Sequence, residues 1–372
     1  MDRQIFDVVV IGAGIAGATT AAALAPTHRV ALLEAEAQPG YHSTGRSAAI
    51  WVLNYGPPAV RRLSWLSRPF FEHPPPGFSV NPLLRRRGFV FLAPPEQKPR
   101  LDAFVQEGQE LRLISIPELR ALVPALRPEY AVAAAIEDNA FDMDVAAIHQ
   151  GFLRQVRAHG GVLITNARTE RIERRGGLWQ LCTSADLCVS AGILVDAAGA
   201  WGDVVAKQAG VRPLGLTPCR RTAAIIDPAP WDVEAWPRVG DVDHTWYVRP
   251  EARSKLLVTP ADETPMPPHD VQPEEIDIAL GIDRMQQALD IPVQRVEHAW
   301  AGLRTFTPDR NLAIGWDPAA HGFFWCVGQG GYGIQTSPAA GRLAADLIAG
   351  RDPGEPSDLA AALDPRRFGA AN

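Results

Sequence analysis

Three glycines and one glutamate near the start of the 372-residue chain have the types and spacing that most directly imply chemistry. Gly12-Ala13-Gly14-Ile15-Ala16-Gly17 is a G-x-G-x-x-G run, and Glu34 follows 22 positions after Gly12. In such a run the first glycine permits a tight turn, the second lets backbone approach a pyrophosphate, and the third lets helix and strand pack closely. A helix starting there offers unpaired N–H groups and a partial positive charge to phosphate oxygens. A carboxylate at the position of Glu34 accepts from ribose hydroxyls and disfavours a 2′-phosphate. Alone, the glycine run is a weak signal; the flanking elements decide its meaning.

Those elements are legible. Residues 4–11 form a continuous apolar run, as in a strand buried on both faces of a parallel sheet. Residues 15–25 are Ala-rich and uncharged, predicting a helix packed on that sheet, and residues 29–33 supply a second strand ending at Glu34. Strand, helix and strand within about 30 residues make a βαβ unit. Residues 193–197 predict another short strand, ending in Ala198-Gly199-Ala200 with a helix from Trp201. Gly45-Arg46-Ser47-Ala48, soon after the second strand, could set N–H groups and a cation at phosphates. Three such segments imply a long, extended ligand, and FAD fits that better than NAD.

Elsewhere the pattern predicts helices over 57–71, 116–123 (capped by Ser115), 145–159, 274–289 and 337–348, with strands over 89–92 and 162–164. Beyond Pro213 strands alternate with prolines and with Trp231, Trp236, Trp246 and Trp300. The tail after Pro353 is expected to pack weakly. Nucleotide-type elements occur at both ends and in the middle. The expected fold is therefore α/β: a Rossmann-like FAD-binding domain (1–80, 143–210 and 310–372) interleaved with an α+β substrate domain on a mixed or antiparallel sheet (81–142 and 211–309).

Composition excludes several classes. A net charge of −6, with no basic run beyond Arg85-Arg86-Arg87, argues against nucleic acid as a partner. Residues 8–25 carry no charge, yet their three glycines, with Asp2 and Asp7 ahead of them, suit a soluble turn rather than a signal peptide or membrane insertion. Cys182, Cys188, Cys219 and Cys326 are unevenly spaced and make neither a disulfide framework nor a metal cluster, so four reduced thiols, a cytoplasmic location and no metal are expected.

The chain resembles the D-amino-acid-oxidase-like flavoproteins (glycine oxidase, sarcosine oxidase, D-amino acid dehydrogenases), and within them the D-arginine dehydrogenase branch. The likeness runs through residues 10–17, 34–49, 197–201, 210–216, 300–304 and 323–337. It implies non-covalent FAD touching Gly12, Gly14, Ile15, Ala16, Gly17, Glu34, Ala35, Ser43, Thr44, Arg46, Ser47, Ala48, Ala198, Gly199 and Trp201. Gly330, Gly331, Tyr332, Gly333, Ile334 and Gln335 would face the flavin pyrimidine from the start of the last long helix. Arg221 and Arg304 would clamp a substrate carboxylate, a group that guanidinium matches bidentately, and Tyr55 and Tyr247 would line the same pocket.

The departures from that branch are informative. Where D-arginine dehydrogenases carry a His, a Thr and a Glu facing the cationic side chain, this chain has Ile50, Val52 and Phe89. Such a wall cannot stabilise a buried cation. The expected reaction is oxidation of an amino acid C–N bond by hydride transfer to flavin N5, on a D-amino acid with an apolar side chain. The alternative is an N-substituted glycine bearing a hydrophobic or second carboxylate-bearing group, which suits specialised-metabolite biosynthesis; Arg238, Arg249 and Arg85 to Arg87 are spare cations for that carboxylate. His42 and His149 read as structural or cofactor-adjacent. The electron acceptor is O2 or a quinone. A second alternative, an NAD(P)H-using reductase, needs a second Gly-rich strand–turn–helix, and none follows residue 45; a non-catalytic binding module would have no use for the carboxylate clamp.

Overall fold

The computed structural model describes residues 4–252, 254–354 and 357–369; Asp2 lies outside them. The expected α/β fold is present, organised on two large sheets and one small one. The apolar strand Gln4–Ile11 runs parallel to Val30–Leu33 on one side and to Cys188–Asp196 on the other. Cys188–Asp196 is long enough to take two neighbours along its other edge. Its start pairs antiparallel with Leu178–Thr183, and its end runs parallel to Phe323–Val327. Val162–Ile164, Thr169–Arg175 and Ala313–Trp316 complete an eight-stranded sheet.

Helix Ile15–Leu24 leaves the glycine turn and lies in near backbone contact with helix Gly333–Ile348. A Cβ on Gly341 would come within 2.7 Å of Thr19 Cβ, so small residues set this approach. The amphipathic helix Pro58–Glu72, burying Val60, Leu63, Ser64, Ser67 and Phe71 at helical spacing, covers Gly333–Ile348, and Val145–Ala158 packs on Ile15–Leu24.

The second sheet has nine strands, antiparallel except where Arg238–Asp241 runs parallel to Phe89–Ala93. Its longest pairing joins Thr217–Ile226 to Val296–Phe306 across ten registered residue pairs. Side chains alternate faces along a strand, so this ladder decides which of its residues reach the site. A three-stranded sheet, Ile50–Trp51, Phe141–Met143 and Leu84–Arg86, lies between the two in the chain's course.

Two expectations need correction. Cys182 and Cys188 form a disulfide. They face each other at a non-hydrogen-bonded pair of an antiparallel hairpin, with Cα atoms 4.2 Å apart, a pairing invisible until the hairpin register is known. The tail also packs: helix Ser357–Leu363 buries Leu359 and Leu363, and Arg367 bonds to Asp309 and to the carbonyls of Asn311 and Leu312.

Candidate active site

A long cleft begins at the carboxyl ends of the parallel strands. At the glycine turn the backbone is as tight as the spacing implied: a Cβ on Gly17 would lie 1.9 Å from the Gly12 carbonyl oxygen, and one on Gly12 would lie 2.6 Å from that of Ala197. Gly17 is therefore a packing glycine, while Gly12, Gly14, Ile15 and Ala16 line the cleft. The Ile15 amide is already bonded to Thr44 Oγ1 at 3.0 Å. Glu34 accepts from the amides of Ala13 and Glu36, both at 3.0 Å, and burial raises its pKa against those bonds. Each carboxylate oxygen accepts one of these bonds and has capacity for another, and Glu34 lines the cleft, where a ribose hydroxyl could donate to it.

His149 Nε2 donates to the Ala13 carbonyl oxygen at 2.8 Å and is held neutral by burial, so it braces the glycine turn. His42 reaches Glu36 and packs against Trp201. Ala35, Ser43, Ala198, Gly199 and Trp201 line the same cleft, together with Arg168 and Thr169, which the sequence did not single out. At its far end, through Ile15, Ser43, Thr44 and Gly330, the cleft opens into a second cavity. The chemistry of this lining, with backbone where phosphates pass, a carboxylate for a ribose and a second chamber beyond, fits an extended flavin dinucleotide.

Arg46 lines the second cavity, but its guanidinium does not turn to phosphates. It pairs with Asp270 and donates to the carbonyls of Val271 and Ala301, both at 3.0 Å. Three of its five donors are so occupied, which fixes the group against the substrate-side strands. Ser47, Ala48, Gly331, Gly333, Ile334 and Gln335 border this cavity. Gln335 exchanges hydrogen bonds with the Val52 backbone, both at 3.2 Å, and donates to Ser64 Oγ. Tyr332 points elsewhere: its hydroxyl donates to the Arg310 carbonyl oxygen, and its ring supports Tyr55.

Strand alternation separates Arg221 from its neighbour. Arg221 is registered opposite Gly302, and Cys219 opposite Arg304, so Arg221, Gly302 and Arg304 share the cavity face. Arg220 faces the other way, buried against Asp262, Glu274 and Asp277. Arg304 Nη1 donates to Tyr55 Oη at 2.9 Å, beside Gly331, where a Cβ would lie 2.8 Å from both groups. Burial works against the Arg304 charge, but the oxygens of Tyr55 and Tyr247 and the charge of Glu263 outweigh it and raise the pKa. Arg221, lowered by burial and by Arg304, pairs with Glu263 at 2.9 Å.

Tyr247 lines the cavity on strand Tyr247–Glu251. Burial alone would raise its pKa, but Arg238, Arg304, Arg221 and Arg249 pull it below the ordinary value. Its close approach to strand Arg238–Asp241 depends on Gly240, where a Cβ would lie 2.9 Å from Tyr247 Cβ.

The expected apolar wall is only partly present. Ile50, Val52 and Phe89 are buried in one cluster with Phe91 and Phe104, and of the three Ile50 borders the cavity. The Phe89 ring also carries the Arg238 guanidinium 4.3 Å from its centroid. At the Phe89 position a cation is therefore stacked on an aromatic ring. Arg238 reads in the sequence only as a spare charge, and nothing in its Trp/Pro-rich surroundings marks it for the site. Glu137 was missed altogether. It is fully buried and accepts from the Leu53 and Asn54 amides (2.6 and 3.3 Å) and from Asn54 Nδ2 (2.8 Å), fixing the turn that carries Tyr55. Among the described residues no helix is long and apolar enough to cross a membrane, and no group of three or more His, Cys, Asp or Glu could hold a metal.

The chain is similar to known proteins over most of its length. Glycine oxidase of Pseudomonas aeruginosa is 26% identical over 373 residues, covering 93% of this chain and 95% of that one. The FAD-dependent oxidoreductase domain-containing protein 1 of Bos taurus is 23% identical over 400 residues, covering 92% of this chain and 81% of that one. The crystal structure of glycine oxidase from Geobacillus kaustophilus superposes with a TM-score of 0.82 at 20% identity, over 94% of this chain and 96% of that one. The model of the DAO family, described as FAD dependent oxidoreductase, matches residues 7–347. With nearly the whole chain inside that match, and a cleft built for the cofactor, this protein belongs to the DAO family of FAD-dependent oxidoreductases.

Proposed function

We propose that this enzyme oxidises the C–N bond of an amino acid, either a D-amino acid or an N-substituted glycine, to an imine that water then hydrolyses. The observation that carries this reading is the Arg304–Tyr55 pair, cationic and deep, beside Gly330-Gly331 where the cofactor cleft meets the second cavity. FAD, held without a covalent bond, supplies a ring that accepts hydride and passes electrons on to O2 or a quinone. The residues of 1–80, 143–210 and 310–372 serve as the cofactor unit, and those of 81–142 and 211–309 as the substrate unit; the strands of the two large sheets divide along these lines.

The chain's part is positioning and electrostatics. Arg304 meets the carboxylate bidentately, Tyr55 and Tyr247 offer hydroxyls, and Arg221, tethered by Glu263, adds positive potential. A substrate so held would keep its α-carbon on the side of Gly330 and Gly331, where bound FAD would accept the hydride, with Ile50 beside the remaining atoms. A cationic surround also lowers the pKa of a bound ammonium. It therefore favours the neutral amine, whose lone pair drives C–H cleavage without a dedicated base. His244 does not supply one; burial and Arg238 push its pKa down to about 4.

Anaerobic flavin reduction tests the reading. D-Leu, D-Phe and N-alkylglycines should bleach the 450 nm band, while the matching amines without a carboxylate should not. Bleaching by NADH, with none by any amino acid, would overturn it in favour of a reductase.

A further inference from the structure

Five arginines gather round Tyr55 and Tyr247, and three already have carboxylates. Arg221 and Arg310 share Glu263, at 2.9 and 2.8 Å. Arg249 pairs with Glu251 and lies 3.6 Å from Asp142. Arg304 and Arg238 have no carboxylate among the described residues. Arg304 donates to the Tyr55 hydroxyl. The Arg238 Cζ lies 3.6 Å from the Tyr247 ring centroid and 4.3 Å from that of Phe89, and its Nε is buried with no hydrogen-bond partner. Arg238 nevertheless keeps some accessible surface.

Two aromatic rings compensate a buried guanidinium in part. They use its faces and leave its in-plane N–H edge for an acceptor. One substrate carboxylate satisfies Arg304 and leaves Arg238 unmatched. Neighbouring His244, held neutral, changes neither count.

We propose that Arg238 is a second anion seat, and that the substrate is an amino acid carrying a second anionic group, on its side chain or on the substituent of its nitrogen. This rests on the amino-acid reading above and narrows it, giving the spare cation an occupant and replacing a purely apolar tail.

The test separates binding from turnover. FAD-loaded protein is titrated calorimetrically with succinate, glutarate and adipate and with their monomethyl esters. At least one diacid should bind about tenfold or more tightly than its ester. Arg238→Gln should erase that gap by weakening the diacid far more than the ester, and Arg238→Lys should keep part of it. Equal binding of diacids and esters by the wild type overturns the proposal, as does an equal loss for both in Arg238→Gln, which would mark a structural role. If Arg238→Gln loses its flavin, the wild-type ratio and the Lys variant still decide.

Turnover is read with D-glutamate and N-(2-carboxyethyl)glycine against their ω-amides, the acids being expected to reduce the flavin about tenfold faster at low concentration. If diacids bind selectively but no amino acid reduces the flavin, the oxidation reading falls and the seat stands. If amides reduce it as well as acids, the seat falls and the oxidation reading stands.

Discussion

Tyr55 and Arg304, 249 positions apart in the chain, meet through a 2.9 Å hydrogen bond in which the guanidinium donates to the phenolic oxygen. The bond spends one donor of a five-donor fork and leaves the rest for a carboxylate. Tyr55→Phe should cost about 1 kcal/mol, a five- to tenfold loss in kcat/KM. Arg304→Met should cost about 2–5 kcal/mol, because it removes the charge that faces the substrate. Both are read by anaerobic stopped-flow reduction of the flavin. Equal effects of the two variants would contradict the roles assigned.

Arg220 and Arg221 are adjacent, yet the sheet sends them to opposite faces, so their variants should fail differently. Arg220 is 4% exposed and bonds to Asp277 at 2.7 Å, with Glu274 and Asp262 around it. Arg220→Ala leaves partly buried carboxylates without a cation and should cost about 3 kcal/mol of stability. Arg221→Met should change thermal stability less, since Arg310 still neutralises Glu263, but should weaken carboxylate binding about tenfold. Melting temperature and substrate titration on both proteins distinguish the two faces.

Much of the fold can be read from the chain because its nucleotide-binding half uses strong local signals. Continuous apolar strands, a glycine turn and an Ala-rich helix each admit few alternatives. Helix Gly333–Ile348 begins four residues before the expected start because glycines ahead of Ser337 look like loop. The nine-stranded sheet was harder. Its strands are short, interrupted by proline, and paired across large separations, so neither register nor facing follows from local pattern. That is why Arg221 and Arg220 compete in the sequence and not in the structure. It is also why Glu137, an ordinary glutamate at the end of Ala133–Glu137, gives no sign that it holds the Tyr55 turn.

Glu137 makes stability pH-dependent in a direction that can be worked out. Burial raises its pKa from 4.5 to about 7, against the backbone and Asn54 bonds that favour the carboxylate and with Glu110 adding to the rise. A raised carboxyl pKa means that the fold favours the protonated form. The contribution is therefore fully present below about pH 4.5 and is lost as pH climbs through 7, by at most on the order of 3 kcal/mol. Melting temperature should fall between pH 5 and 8 in the wild type, and that slope should flatten in Glu137→Gln. An unchanged slope in the variant would assign the pH dependence to another group.

The glycine turn offers a test that separates packing from cofactor contact. An alanine at position 17 would put its methyl 1.9 Å from the Gly12 carbonyl oxygen. Helix Ile15–Leu24 would then have to withdraw from the sheet, so Gly17→Ala should misfold or be insoluble. At position 14 the methyl would find only Thr44 Oγ1, at 3.2 Å, within the tight-contact range. Gly14→Ala should therefore fold, with a far-ultraviolet spectrum like the wild type's. Its methyl would project where the backbone must approach the pyrophosphate, and the purified protein should carry little flavin and show a weak 450 nm band. Glu34→Gln should lie between the two, with flavin retained but released more readily on dialysis, because one acceptor for the ribose is replaced by a donor. A Gly14→Ala protein that is folded and as yellow as the wild type would place the pyrophosphate away from this turn.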